Sequence, residues 1–143
     1  PRVDLEAEKK VQDFLIQHIE AGHIQAAHDI SEGGLVVAMA EMFFENPNLG
    51  ATISIESMGI SNRLDVLLFG ESQGRVLISL ANEQSQVILE SAIQLGLPVD
   101  QLGNSNSSGR LKLSVAGDEV LDSEVNKLHK IWSEAIPAKM NHS

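Results

Sequence analysis

One ten-residue stretch constrains the fold more than any other part of the chain: Ala26-Ala27-His28-Asp29-Ile30-Ser31-Glu32-Gly33-Gly34-Leu35. Ala26 to Ile30 predicts a short buried strand, and Leu35 to Phe44, apolar almost all round, predicts a helix buried on more than one face. Glycines at a helix start let a backbone or a ligand approach closely, and the free N–H groups there carry the positive end of the helix dipole. The turn therefore predicts an anion site. Its candidate ligand-binding residues are His28, Asp29, Ser31, Glu32, Gly33 and Gly34.

The same residues also allow a purely structural interpretation. Ser31 or Asp29 would be the N-cap that satisfies the free donors of a core helix, and the two glycines would only permit tight helix packing. A two-glycine turn is a weaker phosphate signal than a P-loop. The local residues leave both interpretations open.

Composition narrows the class of protein. A chain of 143 residues with 43% hydrophobic residues predicts one globular domain with a real core. The formal net charge of -10, with only ten Lys and Arg residues, argues against a nucleic-acid surface. No apolar run approaches the length of a membrane span, no signal peptide is visible, and the lack of cysteine is compatible with a reducing cytoplasm.

Periodicity and turn residues predict the remaining elements. In chain order they are a helix over Asp4–Glu20 with Asp4 as cap and Gly22 as stop, a strand over Ala51–Glu56, a short helix over Asn62–Phe69, a strand over Val76–Leu80, a helix capped by Asn82 and ended by Gly96, a hairpin of Val99–Leu102 and Arg110–Val115 around the loop Gly103–Gly109, a helix over Asp122–Ile136, and a frayed tail over Pro137–Ser143. This mixed order predicts an α+β domain in which helices flank a mostly antiparallel sheet.

The histidines give no sign of a metal site or of a catalytic group. His18 and His23 are expected to face solvent at the end of the first helix, and His129 is expected at the rim of the last one. Carboxylate or cysteine partners at ligand spacing are missing from the sequence around them. We therefore predict no metal site in this chain and no catalytic role for His129.

A second polar stretch, Gly70-Glu71-Ser72-Gln73-Gly74-Arg75, joins the short helix to the following strand. Polar side chains at the end of an element often line sites, which makes Glu71, Ser72, Gln73 and Arg75 further ligand-binding candidates. The structural alternative is a helix C-cap at Gly70 followed by a solvated loop, with an exposed ion pair between Glu71 and Arg75.

Taken together, the two stretches resemble a known family. Ala-His-Asp-Ile-Ser-Glu-Gly-Gly-Leu, then Ala40-Glu41-Met42, a strand at Gly50-Ala51, and Leu68-Phe69-Gly70-Glu71-Ser72-Gln73-Gly74-Arg75-Val76 closely resemble the C-terminal domain of the phosphoribosylformylglycinamidine synthase family. The resemblance runs from about Val11 to Trp132. The wider group is related to aminoimidazole ribonucleotide synthetase and pairs an N-terminal ATP-handling domain with a C-terminal α+β domain.

The resemblance implies a function. The family is an ATP-dependent carbon–nitrogen ligase that amidates formylglycinamide ribonucleotide in purine biosynthesis, with ammonia from glutamine and with magnesium present. It implies that ATP and Mg are bound mainly outside this chain, with none held tightly here. The implied partners are the N-terminal ATP-type domains of the same polypeptide and a glutaminase subunit or domain.

The resemblance also bears on which copy of the domain this is. The Ala-His-Asp-x-Ser-Glu-Gly-Gly form is similar to the second copy in the polypeptide, whereas the first reads closer to Gln-Asp-x-Gly-Ala-Ala-Gly. This implies that Glu71-Ser72-Gln73 faces a pseudo-site rather than the working active site. The isolated chain is accordingly expected to be inactive.

We expect this chain to be such a terminal domain, cytoplasmic, and to form a homodimer when separated from its parent. A start at Pro1 rather than Met suggests a piece of a longer polypeptide. The alternatives are a free-standing structural or interaction domain and the equivalent domain of selenophosphate synthetase or thiamine-monophosphate kinase.

Overall fold

The computed structural model describes residues 4–56, 63–71 and 74–140, with side chains as far as residue 135. The helices and strands follow one another as α1 (Leu5–Glu20), β1 (Ala26–Asp29), α2 (Gly34–Glu41), β2 (Gly50–Ile55), α3 (Leu64–Phe69), β3 (Val76–Ser79), α4 (Ser85–Leu95), β4 (Gly103–Asn106), β5 (Arg110–Val115), β6 (Asp118–Glu124) and α5 (Val125–Met140). A 3₁₀ turn, Asn82–Gln84, precedes α4. Within these residues no helix is both long and apolar enough to cross a membrane.

The strands form two separate sheets. β1 and β3 pair antiparallel as a two-stranded sheet, and the second sheet has the order β4-β2-β5-β6. In the second sheet β2 runs antiparallel to β4 and parallel to β5, while β5 and β6 form an antiparallel hairpin with an irregularity between Leu113 and Ser114. The predicted α+β class with a mostly antiparallel sheet is confirmed.

Two clusters of buried apolar side chains join the helices to the two sheets. The larger lies between the four-stranded sheet and α2, α3 and α5, and contains Leu35, Met39, Leu111 and Leu113. The smaller lies where α1 and α4 meet the two-stranded sheet, and its members are Phe14, Ile24, Ile88 and Ala92. Successive side chains of a strand point to opposite faces, so β3 serves both clusters, with Leu77 packed on the larger and Ile78 on the smaller.

α1 begins and ends close to its predicted bounds. The Asp4 carboxylate accepts hydrogen bonds from the N–H groups of Glu6 and Ala7, both at 3.1 Å, which is the predicted N-cap. The chain leaves the helix through Gly22, whose φ of 74° suits glycine.

The predicted hairpin of Val99–Leu102 with Arg110–Val115 is wrong. Val99–Leu102 is not a strand, and β4 lies within the predicted loop and pairs with β2 instead of β5. β4 contains only Gly, Asn and Ser, so no apolar residue marks it as a strand, and all four of its residues are exposed. β4 is held to β2 by backbone hydrogen bonds. The Asn106 side-chain amide adds one contact, since it donates to the Thr52 hydroxyl at 3.3 Å.

β6 was missed because its acidic residues disfavour a strand in the sequence. The neighbouring strand compensates this charge: Arg110 lies 2.8 Å from Asp122, and Lys112 lies 3.3 Å from the same side chain. α5 consequently begins at Val125 rather than near Asp122, and it continues to Met140 rather than ending near Ile136.

Three further expectations are corrected. β1 was predicted to be buried, but Ala26, Ala27 and Asp29 are exposed because the sheet has only two strands; the following Ile30 is buried. His18 was expected to face solvent but is only 3% exposed. Asn82 does not cap α4 with its side chain, since it starts the 3₁₀ turn instead.

Candidate functional site

The pairing of β1 with β3 brings the two polar stretches together. In this antiparallel pair Asp29, at the end of β1, lies opposite Val76, at the start of β3. One residue further on, the Ile30 N–H donates to the Arg75 carbonyl at 2.9 Å. The turn after β1 and the turn before β3 therefore meet at one end of the two-stranded sheet.

A pocket of about 460 Å³ lies where these turns meet α1. Its polar and charged lining comes from both predicted stretches and from α1: Glu8, Gln12, Asp29, Ser31, Glu32, Glu71 and Arg75. Five of the ten predicted ligand-binding residues thus share one concave surface, which makes it the candidate site.

Glu71 joins the two stretches directly. Its carboxylate accepts a hydrogen bond of 3.0 Å from the Gly33 N–H, at the residue that precedes α2. This is the position at which the helix N-terminus was expected to attract an anion, and the protein's own carboxylate occupies it.

Each of the two glycines of the turn is required by a different close contact. At Gly34, with φ 74°, an added Cβ would lie 2.6 Å from the Phe69 Cα, so the start of α2 packs directly on the end of α3. At Gly33, with φ 79°, a Cβ would lie 2.6 Å from a Val37 methyl. Gly33 itself occupies the N-cap position, so the predicted capping of α2 by the side chain of Ser31 or Asp29 is not seen.

His28 is held by acceptors on two sides. Its Nε2 lies 3.1 Å from the Glu41 carboxylate of α2, and its Nδ1 lies 2.7 Å from the Asp29 carbonyl oxygen. Both partners are acceptors, so whichever ring nitrogen carries a proton donates to its partner. His28 therefore ties β1 to α2.

Arg75 carries the positive charge among the described residues that line the pocket. Its Nη2 is buried and has no hydrogen-bond partner among the described residues, and burial lowers the pKa of its guanidinium. The predicted ion pair between Glu71 and Arg75 is not formed.

The pocket as a whole is acidic. Glu8, Asp29, Glu32 and Glu71 line it against one guanidinium. In the ranges 4–56, 63–71 and 74–135, no group of three or more His, Asp or Glu side chains is arranged to hold a metal ion.

Sequence reasoning missed the contribution of α1. Glu8 and Gln12 are four positions apart on one face of that helix, which is a sequence signal for a common neighbour but not for its identity. Two predicted site residues, Ser72 and Gln73, lie outside the described residues.

Residues 1–116 match the family model described as AIR synthase related protein, C-terminal domain. Among curated proteins, the phosphoribosylformylglycinamidine synthase subunit PurL of Symbiobacterium thermophilum is 36% identical over 154 residues, covering 99% of this chain and 20% of that protein. The PurL subunit of Corynebacterium ammoniagenes is also 36% identical, over 100% of this chain and 17% of its own length.

Solved structures of Thermotoga maritima proteins share the fold. The structure of PurLQS matches with a TM-score of 0.81 at 23% identity, over 90% of this chain and 22% of that one. PurL complexed with FGAR matches with a TM-score of 0.78 at 24% identity, over 89% and 21%. The chain thus spans about a fifth of the length of the relatives it matches. From the family model that covers most of its length, it belongs to the AIR synthase related proteins as a C-terminal domain of that family.

Proposed function

We propose that this chain acts as the C-terminal-type domain of a phosphoribosylformylglycinamidine synthase, an ATP-dependent ligase that amidates formylglycinamide ribonucleotide in purine biosynthesis. The observation that carries the proposal is the 36% identity to PurL subunits over 99–100% of the chain. The two polar stretches that carry the family resemblance are joined by the hydrogen bond from the Gly33 N–H to the Glu71 carboxylate, which supports the same assignment.

The role we propose for the candidate site is first of all structural. Gly34 allows α2 to pack on α3, Glu71 neutralises the start of α2, and His28 joins β1 to α2. A phosphate group would reach the Gly33 N–H only by displacing the Glu71 carboxylate. Phosphate binding at Ser31 to Gly34 is therefore the second role, and it requires movement of Glu71. For Ser72 and Gln73 we propose a position facing the pseudo-site.

ATP and magnesium are assigned to other parts of the enzyme. Thermotoga maritima PurL has been solved in complex with ATP and with ADP, which supports nucleotide binding in relatives of this chain. Here the helix start carries a carboxylate, and the described residues gather no set of metal ligands. Magnesium bound elsewhere in the enzyme would neutralise phosphate charge, and this chain would contribute packing rather than ligands.

The proposed partners follow from the same assignment. They are the N-terminal ATP-type domains of one polypeptide and a glutaminase subunit or domain, in the cytoplasm. When the chain is isolated, we propose that it forms a homodimer through exposed apolar side chains.

The experiment is a domain exchange. The matching segment of Symbiobacterium thermophilum PurL is replaced by this chain, and amidation of formylglycinamide ribonucleotide is measured with ammonia as nitrogen donor. We expect an active chimera, no activity when the segment is deleted, and no ATP hydrolysis by the isolated chain. A folded but inactive chimera, or rapid ATP hydrolysis by the isolated chain, would contradict the proposal.

A further inference from the structure

Helix α1 forms a wall that the candidate site shares with a second cavity. This cavity, of about 790 Å³, lies between the two-stranded sheet with α4 on one side and the four-stranded sheet with α2 on the other. Val11 and Leu15 of α1 line both spaces, whereas Gln12 lines only the candidate site and Phe14 only the second cavity. Movement of α1 away from the domain would therefore open both spaces.

Two side chains of α1 are buried, and one of them can change its charge. Phe14 is 6% exposed and His18 is 3% exposed, one turn apart on the same face of the helix. Their ring centroids lie 4.5 Å apart. Ile16 and Ile19, by contrast, are exposed to solvent. The contact of α1 with the domain therefore includes a buried histidine, the side chain that titrates nearest to neutral pH.

His18 links the end of α1 to two other parts of the chain. Its Nε2 lies 2.9 Å from the hydroxyl of Ser91 on α4, and its Nδ1 lies 2.9 Å from Nδ1 of His23. The His23 N–H donates to the His18 carbonyl oxygen at 2.9 Å, so the turn after α1 keeps the two residues together. The pair of rings thus joins α1 to α4 and to the turn that leads into β1.

The space between the two rings accommodates one hydrogen atom. A separation of 2.9 Å between the two Nδ1 atoms corresponds to a single hydrogen bond, in which one nitrogen donates and the other accepts. A neutral imidazole carries one ring proton and an imidazolium carries two. When one ring is charged, its Nδ1–H donates to the neutral ring. When both rings are charged, both Nδ1 atoms carry hydrogen and the contact is lost.

No carboxylate offsets a second positive charge at this pair. Within the part of the chain that the structure describes, no Asp or Glu oxygen lies within 4.0 Å of either ring. The acidic residues on the two helices nearest to the pair in sequence, Glu20 and Glu90, are exposed, and Glu90 accepts a hydrogen bond from Gln86. Burial of the ring, and secondarily the charge of His23, accordingly lower the pKa of His18.

We propose that α1 is a proton-controlled gate: uptake of a second proton by the His18–His23 pair releases the C-terminal half of α1 from α4 and opens the second cavity, while the four-stranded sheet stays folded. Release lets the two charged rings separate and become hydrated. Phe14 moves with His18, because their rings are in contact, and the wall of the cavity moves with it. The gate closes again when the pH rises, and it is independent of the proposed function.

Proton linkage gives the size of the effect. In the open state the ring of His18 has the ordinary histidine pKa of about 6.5, whereas the closed state takes up the second proton only at lower pH. The closed state is therefore favoured above this pH and loses ground below it. Between pH 7.5 and pH 5.5, uptake of this one proton should raise the population of the open state about tenfold.

The test is amide hydrogen exchange of the 143-residue chain at pH 7.5 and 5.5, measured by mass spectrometry and corrected for the exchange rate of an unstructured peptide. We expect protection of residues 11–20 to fall about tenfold at pH 5.5. At that pH these amides should exchange faster than those of β5 and respond little to low urea concentrations, because a local opening exposes little surface. Unchanged protection of α1, or one common rate for α1 and β5, would overturn the proposal.

Three variants assign the effect to the histidine pair. His18→Gln, which keeps a polar side chain beside Ser91, should abolish the pH dependence of α1 protection. His23→Gln should reduce it to about threefold or less, because the second charge is absent while burial still acts on His18. His129→Gln leaves the pair intact and should behave like the parent chain. Circular dichroism checks that each variant folds. A folded His23→Gln chain with the full tenfold change would refute the role of the pair.

Discussion

The Gly33 N–H and the Glu71 carboxylate are joined by a hydrogen bond of 3.0 Å across 38 positions of the chain. The donor lies at the N-terminus of α2, where the partial positive charge of the helix is concentrated. The acceptor follows α3, whose last residue Phe69 packs on Gly34. The two polar stretches of the sequence are therefore one structural unit, in which the carboxylate and the glycine pair fix α2 against α3.

Removal of the Glu71 charge should destabilise the domain slightly. In Glu71→Gln the amide oxygen still accepts from Gly33, but the interaction with the helix dipole is lost, and we expect a fall of about 0.3–1 kcal/mol in the free energy of unfolding. Urea denaturation measures it. Glu20→Gln is the control, because Glu20 ends α1, where loss of a negative charge should be neutral or stabilising. Equal effects at the two helix ends would show that the Glu71 contact contributes nothing.

Gly34→Ala should be far more damaging than an alanine at another left-handed glycine. Its Cβ would lie 2.6 Å from the Phe69 backbone, so steric overlap adds to the backbone strain, and we expect a loss of about 2–5 kcal/mol. Gly22 has the same φ of 74° but nothing within 4 Å of an added Cβ. Gly22→Ala should therefore cost only about 1–2 kcal/mol. Thermal unfolding of the two variants separates the cost of steric overlap, present only at Gly34, from the cost of backbone strain, present at both glycines. Similar losses of stability in the two variants would argue against close packing of α2 on α3.

Elements with a clear apolar period could be predicted from the sequence. Ala51 and Ile55 of β2 are buried as the alternation indicates, and so are Ile88 and Ala92 on α4. β4 has no apolar residue, and the two apolar residues of β6, Val120 and Leu121, stand between acidic and polar ones, so neither strand could be predicted. Their order comes from backbone pairing with β2 and β5. The local sequence pattern of an edge strand does not indicate which strand it will pair with.

Five of the seven polar or charged residues that line the candidate pocket are among the residues predicted from the sequence, but their contacts were not predicted. Glycines and polar residues at element ends marked both stretches, yet only the register of β1 and β3 places Asp29 beside Val76. Local sequence also gave no sign that Glu71 would occupy the helix start, or that Glu8 of α1 would close the pocket. The solvent exposure expected for His18 was wrong for the same reason, since its Nε2 lies 2.9 Å from the hydroxyl of Ser91 on α4, which is distant in the sequence.

His18 should make stability depend on pH. The ring is 3% exposed, its Nε2 lies 2.9 Å from the Ser91 hydroxyl, and its Nδ1 lies 2.9 Å from Nδ1 of His23, with room for one proton between the two nitrogens. Burial, and secondarily the charge of His23, lower the pKa of His18 in the folded chain.

The direction of the pH effect follows from proton linkage. Below the ordinary histidine pKa of about 6.5 the unfolded chain binds the proton more readily than the folded one. The stabilisation is therefore complete above that pH and is lost as the pH falls toward the folded-state pKa. Urea denaturation between pH 7.5 and 5 should show this loss, and His18→Gln should flatten it. His129→Gln, which keeps His18, should retain the slope; a slope that survives His18→Gln would assign the effect to other groups.

Self-association should involve the outer face of α5. Ile131 and Trp132 are 60% and 53% exposed, and Trp132 extends a cluster in which His129 stacks on Phe44 at a ring distance of 4.7 Å. Removal of an exposed apolar patch of this kind from water by a second molecule lowers the free energy and favours association. Sedimentation equilibrium of the chain should show a monomer–dimer equilibrium, shifted toward the monomer by Trp132→Ser. Ile93→Ser is the matched control, because Ile93 is an equally apolar residue, 71% exposed, on a different helix, α4. A dimer weakened by Ile93→Ser alone would place the interface on α4, and a strictly monomeric chain at all concentrations would show that neither face associates.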